Sequence, residues 1–363
     1  MEIRQQQVSL DFDEVDEIEH EFDNGSSVPL KYLISSYGAD YTADGLVKRI
    51  SQGAIVIPPF QRNYVWDILR ASRFVESLLL GLPVPGIFLV RDQVSQQLLV
   101  IDGQQRLLSL AYFYDETFQP TGKPFALKGV QPQFEGKTYQ TLLPEDRRRL
   151  DDAILHATIV KQEDPLNDDS SMYHVFERLN TGGVRLQPHE IRAAIYHGPL
   201  NDLLQQLNTN EAWRSVYGDP SQRMRDQELI VRFLALYFHA DTYSRPLNEF
   251  LNAYMRKNRE LELQSADELR QVFISTIELI HRCLGTRAFR PRRTLQAAVF
   301  DAVMVGVARR LAKGPLQDCA ALRTQYEHLL NQEAFLHAID KSSDEENVRR
   351  RLEMATDAFA TVP

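Results

Sequence analysis

Between residues 68 and 80 apolar side chains recur at helical spacing. Phe74/Leu78 and Val75/Leu79 are i,i+4 pairs on one face, and Gly81 followed by Pro83 ends the run. Two short apolar runs follow, 87–90 and 98–101, separated by a polar turn; they predict two strands joined as a hairpin. Asp102-Gly103 breaks the second run, and a helix begins behind it with Leu107, Leu110, Ala111 and Tyr114 on one side. Upstream, residues 44–50 predict a short helix ended near Gly53, and the run 55–57 is stopped by Pro58-Pro59. Residues 115–150 mix Pro, Gly and short apolar runs, and little of their structure is legible from the pattern. Residues 154–160 predict another strand, and 172–179 a helix closed by Asn180 and Gly182-Gly183. From Pro188 onward the period is helical almost throughout. Ser265-Ala266-Asp267-Glu268 and Ser343-Asp344-Glu345-Glu346 fit the capping-box pattern, and residues 294–312 form an amphipathic stretch ended by Gly314. The pattern predicts an α+β protein without internal repeats: a leader over residues 1–24, a mixed α/β domain over 25–200 and an all-helical domain over 201–363.

Composition changes little in this picture. Apolar residues at 43% and charged residues at 25% are ordinary for a globular chain, and 363 residues suffice for two cores. No apolar stretch approaches the ~20 residues that span a bilayer, and the first residues lack the layout of a signal peptide, so no membrane association and a cytoplasmic location are expected. Cys283 and Cys319 are expected to be packed thiols of a reducing compartment. The charge is more informative. Residues 1–23 carry nine acids against Arg4, so most of the net charge of -9 sits in the leader and the other 340 residues are nearly neutral. A solvated, disordered leader is the simpler expectation; a mobile anionic arm that competes with nucleic acid is the sharper one.

Three segments can carry chemistry. In Pro58-Pro59-Phe60-Gln61-Arg62-Asn63-Tyr64-Val65-Trp66-Asp67 the prolines stiffen an extended approach to a helix, where Arg62 either offers a two-pronged donor to a phosphate or pairs with a carboxylate. In Val100-Ile101-Asp102-Gly103-Gln104-Gln105-Arg106 a strand, a tight turn and a helix start gather free backbone N–H groups at one point, a natural anion site with Arg106 one turn in. There Gln104 and Gln105 can position water or a base edge and Asp102 can hold a metal ion through water, or Asp102 simply caps a β–α turn. The third segment, residues 176–190, runs Phe-Glu-Arg-Leu-Asn-Thr-Gly-Gly-Val-Arg-Leu-Gln-Pro-His-Glu. Asn180 and Glu190 are oxygen donors of the kind Mg²⁺ tolerates, and Arg178 and Arg185 add positive charge; alternatively Glu190 caps the second helix. His189 is expected on a helix surface. Farther on, Arg287, Arg290, Arg292 and Arg293 surround Phe289, and Arg290, Arg292 and Arg293 are candidates for nucleic-acid phosphates. Gly136-Lys137-Thr138 lacks the spacing of a P-loop, and neither a His-Glu-x-x-His nor a Gly-x-Ser-x-Gly signature occurs.

Taken together, "PPFQRNYVW", "VIDGQQRLLSL" and "FERLNTGGVRLQPHE" resemble the N-terminal domain of GmrSD-type restriction endonucleases. That family's Asp-Gly-Gln-Gln-Arg motif matches residues 102–106 at every position, and the likeness continues into the helical part at "FDAVM", Phe300 to Met304. More distantly the segments look like the three boxes of ParB-type CTPases, which implies a ParB/sulfiredoxin-like fold. By that resemblance Gln61, Arg62, Gly103 and Arg106 hold the phosphates of a nucleoside triphosphate, Asn180 approaches its Mg²⁺, and Arg178, Arg185 and Glu190 line the same pocket. Gly183 stands where the ParB box has arginine. Full-length family nucleases carry a His-Asn-His motif that these residues lack, so cutting is expected to be absent or to lie on another polypeptide.

The resemblance implies a nucleotide-binding sensor or regulatory subunit of an anti-phage system, hydrolysing its nucleotide with Asp102, Gln104, Gln105 and Arg106 and acting on foreign or modified DNA. Expected partners are DNA, a nuclease or ATPase subunit, and a second copy in a homodimer. Two alternatives stay open: a stand-alone nuclease that uses the same pocket on a DNA backbone, and a non-catalytic adaptor.

Overall fold

A computed structural model describes residues 33–57, 64–92, 95–164, 170–179, 187–340 and 343–363, the side chains of 170, 171, 177 and 179 excepted. The acidic leader, Gln61, Arg62, Asn180 and Arg185 lie outside the described residues. The chain divides into two compact units that meet in sequence between Gly198 and Pro199.

The first unit is built on a mixed five-stranded sheet of order β1-β7-β3-β4-β2. Its strands are β1 (Leu33–Thr42), β2 (Ile55–Val56), β3 (Ile87–Arg91), β4 (Leu98–Asp102) and β7 (Ile154–Asp164). A small second sheet pairs β5 (Thr117–Phe118) with β6 (Lys123–Pro124). β3 and β4 form the expected antiparallel hairpin, β7 runs parallel to β3, and β1 closes the edge antiparallel to β7, with Tyr37 opposite Ile159. The helices are α1 (Ala43–Ser51), α2 (Ile68–Leu79), α3 (Gln104–Tyr114), α4 (Pro144–Asp151), α5 (Ser170–Leu179) and α6 (Pro188–Ile195). Phe74, Val75, Leu78 and Leu79 are all buried, so the apolar stripe of α2 faces the core that the spacing predicts. Leu89, Val100, Leu107, Leu110, Phe113 and Ala157 complete that core from the sheet and α3. The stretch 115–150, without a legible period, carries β5, β6 and most of α4, buries Phe118, Phe125, Leu127, Phe134 and Leu142 in the same core, and adds polar contacts at its ends. Tyr114 and Tyr139 stack at 4.3 Å and both donate hydrogen bonds to Asp151.

The second unit is helical: α7 (Pro199–Asn208), α8 (Glu211–Tyr217), α9 (Arg225–His239), α10 (Leu247–Lys257), α11 (Ala266–Leu284), α12 (Ala297–Leu311), α13 (Cys319–Leu330), α14 (Glu333–Asp340) and α15 (Glu345–Ala360). A mixed sheet followed by helices bears out the α+β class. α12 is the axis of this unit. Every residue from Ala297 to Ala308 is buried, as a helix apolar on all sides requires. α15 approaches it so closely at Gly306 that a β-carbon there would lie 2.8 Å from the carbonyl oxygen of Ala355. The one acid on this buried stretch, Asp301, is fully enclosed and held by two arginines. Arg232 of α9 grips it with both Nε (3.2 Å) and Nη2 (2.6 Å), and Arg351 of α15 donates from Nη2 at 2.9 Å. Ser265 caps α11 through the amide of Glu268 as expected, whereas α15 takes Asp344 rather than Ser343 as its N-cap residue. The two cysteines are not separate thiols, contrary to the sequence expectation. The end of α11 and the start of α13 bring Cys283 and Cys319 to a Cα separation of 4.8 Å, and a disulfide joins them.

Removing one member of a buried charge cluster leaves its partners desolvated without compensation, which costs about 3–5 kcal/mol. Asp301→Asn is therefore expected to lower the stability of the helical unit by that amount in urea unfolding, although the side chain keeps its shape. An unchanged midpoint would show that Arg232 and Arg351 find other partners.

Candidate functional site

The best-defined candidate site is the turn where β4 becomes α3. Asp102 is the last residue of β4 and Gln104 the first of α3, so a single residue, Gly103, reverses the chain. It does so with φ at 100°, a left-handed conformation that costs other residues roughly 1–2 kcal/mol. Space imposes the same choice: a β-carbon on Gly103 would lie 2.4 Å from Cγ2 of Ile87 on β3. Gly103, the N-cap residue, has no side chain to cap α3, whose first turn starts at the end of the sheet with its backbone N–H groups directed to that point.

Arg106, one turn in, folds back over this point. Its Nη2 donates to Oδ2 of Asp102 at 2.7 Å and its Nη1 to the carbonyl of Pro85 at 3.3 Å. The Arg106 side chain is only 12% exposed, against 48% for Asp102, so the guanidinium is fixed in place while the carboxylate opens to solvent. Gln105 points elsewhere and has a structural duty. Its Oε1 accepts from the amides of Val65 (2.9 Å) and Trp66 (3.2 Å), which clamps the residues that follow the Gln61-Arg62 segment onto α3. Ser109 extends the clamp: it donates to the carbonyl of Gln105 at 2.6 Å and takes the Tyr64 hydroxyl at 2.6 Å. Burial pushes the Tyr64 phenol up to about 12, so it stays protonated, and with the Ser109 proton given to the Gln105 carbonyl the phenol is the donor in that bond. Sequence reasoning missed Ser109 and the Pro85 carbonyl. The signal for Ser109 was its place on the apolar side of α3, four residues after Gln105.

The third segment is divided. α5 packs against β4 and α6. Phe176 is buried and Arg178 is exposed in its last turn. Glu190, expected at a metal or a phosphate, is 1% exposed and accepts the Gln187 amide at 2.5 Å as the cap of α6, which uses its carboxylate inside the fold. His189 is not on a surface: it is completely enclosed, and among the described residues neither ring nitrogen has a hydrogen-bond partner. Burial, reinforced by the charge of Arg192, holds its pKa well below the usual imidazole range, so it is neutral in the folded protein. Among the described residues no group of three His, Cys, Asp or Glu side chains is arranged to hold a metal ion. Arg290 is likewise turned inward, donating to the carbonyls of Val216 and Tyr217 at the end of α8, while Arg292 and Arg293 are exposed.

Two expectations test these assignments. Gln105→Ala loses both clamping bonds and should destabilise the α/β unit by about 1–3 kcal/mol in urea unfolding, whereas Gln105→Glu, which keeps an acceptor there, should lose less. A histidine with a depressed folded pKa binds its proton only when the chain unfolds, so stability should fall as pH drops below about 6.5. His189→Leu should flatten that part of the pH dependence in unfolding curves recorded from pH 7.5 to 5; an unchanged slope would mean that other groups set it.

Comparison with known proteins places this geometry. A curated relative, an uncharacterized protein of Methanocaldococcus jannaschii, is 32% identical over 108 aligned residues, covering 22% of this chain. The chain matches 18% of that protein's length. The family model of the GmrSD restriction endonuclease N-terminal domain matches residues 44–197, a span that holds α1 to α6, the Gly103 turn and Arg106; the helical unit lies beyond the matched residues. Residues 44–197 therefore belong to the GmrSD restriction endonuclease N-terminal domain family.

Proposed function

We propose that the α/β unit binds the polyphosphate of a nucleotide at the β4–α3 turn, and that the chain is a nucleotide-binding sensor or regulatory subunit of a restriction system acting on foreign or modified DNA. The family supports a restriction role. The observation that supports the phosphate site is the Gly103 turn itself: a helix start whose N-cap residue carries no side chain, beside a guanidinium fixed by Asp102 and the Pro85 carbonyl. An anion at that point meets aligned N–H dipoles and an arginine whose side chain is already ordered, so little entropy is lost on binding.

The residues present also fit Mg²⁺, which holds few protein ligands and otherwise takes water and phosphate oxygens. Asp102 is the candidate, because its carboxylate is half exposed at the same turn, whereas Glu190 is spent on the cap of α6. Mg²⁺ bound there would neutralise phosphate charge and orient the phosphate oxygens. Asp102 now neutralises Arg106; drawn toward a cation, it would release the guanidinium for a phosphate. Gln105 does not serve as a water-positioning residue in this reading, since its carbonyl oxygen is engaged by Val65 and Trp66. Cytoplasmic action, where invading DNA is met, goes with this function, as do a nuclease or ATPase partner and a homodimer.

Calorimetry of the full chain with each common nucleoside triphosphate and Mg²⁺ is the test. The wild type should bind at least one, and Arg106→Ala should weaken that binding by about 1.5–3 kcal/mol, the range for a hydrogen bond to a charged group. Arg106→Lys keeps the charge but not the fork and should fall between the two. Absence of binding to any triphosphate would remove the nucleotide reading.

A further inference from the structure

Between Glu278 and Asp301 the chain carries Arg282, Arg287, Arg290, Arg292 and Arg293 and no acid. Most of this stretch is the connection between α11 and α12, and the fold treats its residues in two ways. One set points inward and ties the loop down. Arg290 reaches the carbonyls that end α8, and the Tyr326 hydroxyl of α13 donates to the Ala288 carbonyl at 2.8 Å. Arg323 donates to the Cys283 carbonyl at 3.2 and 2.8 Å, and the disulfide to Cys319 anchors the start of the connection. Phe289 is fully buried, edge-on to Phe300 at 4.8 Å, so the aromatic of this motif is a core residue and is not available to stack on a base.

The other set points out. Arg287, Arg292 and Arg293 are exposed, and among the described residues none of the three guanidinium groups has an ion-pair or hydrogen-bond partner. Elsewhere in the unit Arg245 and Arg270 have acids beside them, Asp344 and Asp267. Three uncompensated guanidinium groups on an anchored loop, in a chain of net charge -9, are a local reversal of sign held at small entropic cost. We infer that the α11–α12 connection is a contact surface for the phosphate backbone of duplex DNA, with Arg287, Arg292 and Arg293 as the phosphate-contacting groups and Arg290 as the residue that positions their loop. Backbone contact is the mode these residues fit, because arginine forks match phosphate oxygens and no aromatic side chain of the loop is exposed to read bases. The inference rests on the DNA-directed role proposed above but not on nucleotide binding.

The test is DNA binding by the full chain without nucleotide, using two unrelated duplexes of about 25 base pairs over a range of salt concentrations. The wild type should bind both with similar affinity, weakening steeply as salt rises. Each phosphate contact contributes about 0.9 to the slope of log affinity against log salt. Arg287→Gln/Arg292→Gln/Arg293→Gln should therefore reduce that slope by about 2.7 and weaken binding more than tenfold at low salt, equally for both duplexes, with an unchanged melting temperature because the three groups hold nothing in the fold. Arg290→Gln should instead lower the melting temperature. An unchanged slope and affinity in the triple variant would overturn the assignment, as would a loss confined to one sequence. Failure of the wild type to bind either duplex would overturn it too, and would leave an acidic protein as the partner to seek. Calorimetry with nucleotides is a separate readout, so failure of the phosphate-pocket reading and failure of this one are distinguishable.

Discussion

The candidate site depends on how abruptly β4 gives way to α3. Because Gly103 alone makes the turn, with left-handed backbone packed against Ile87, the strand end and the helix start are locked within one residue of each other. A longer connection would let the helix start drift from the sheet. With it fixed, side chains one turn into α3 diverge along predictable directions. Arg106 returns over the strand end to Asp102 and Pro85, while Gln105 reaches the extended segment at Val65 and Trp66. A single steric constraint therefore orders the arginine, exposes the carboxylate and docks the neighbouring segment on the same helix.

The helical unit shows a different use of the same side chain. Arg232 and Arg351 enclose Asp301 along the central helix, and Arg290, Arg310 and Arg323 close the ends of helices by donating to backbone carbonyls. A guanidinium suits both tasks because its five donors are held in a rigid plane and its charge is retained on burial. Net charge says little about which arginines remain for a partner. That follows from subtracting those that the fold consumes, and in the α11–α12 connection the remainder is compact.

The second half of the third segment shows how a polar motif can serve the core. Gln187-Pro188-His189-Glu190 reads equally well as a ligand-bearing turn and as a helix start. In the fold Glu190 satisfies the Gln187 amide, and His189 is enclosed in its neutral form. Enclosing an imidazole and a carboxylate at a helix start costs less than burying an isolated charge, because one is neutral and the other is hydrogen-bonded.

Several features were legible in residue order because local chemistry alone decides them. The stripe of α2, the β3–β4 hairpin, the Ser265 cap and the Gly103 turn each need only a few consecutive side chains, and Asp102 to Arg106 share one site because they are neighbours along the chain. Others depend on partners far along the chain. β1 has no apolar alternation to announce it; Leu33 to Thr42 become a strand because β7, more than a hundred residues later, supplies the hydrogen bonds. The Cys283–Cys319 bond exists because the end of α11 meets the start of α13, and the spacing of the two cysteines does not encode that meeting. The same holds for which polar residues face inward. Burial of His189, Asp301 and Arg290 is set by the elements that close over them, and a helix carries no local mark of which of its faces will be covered.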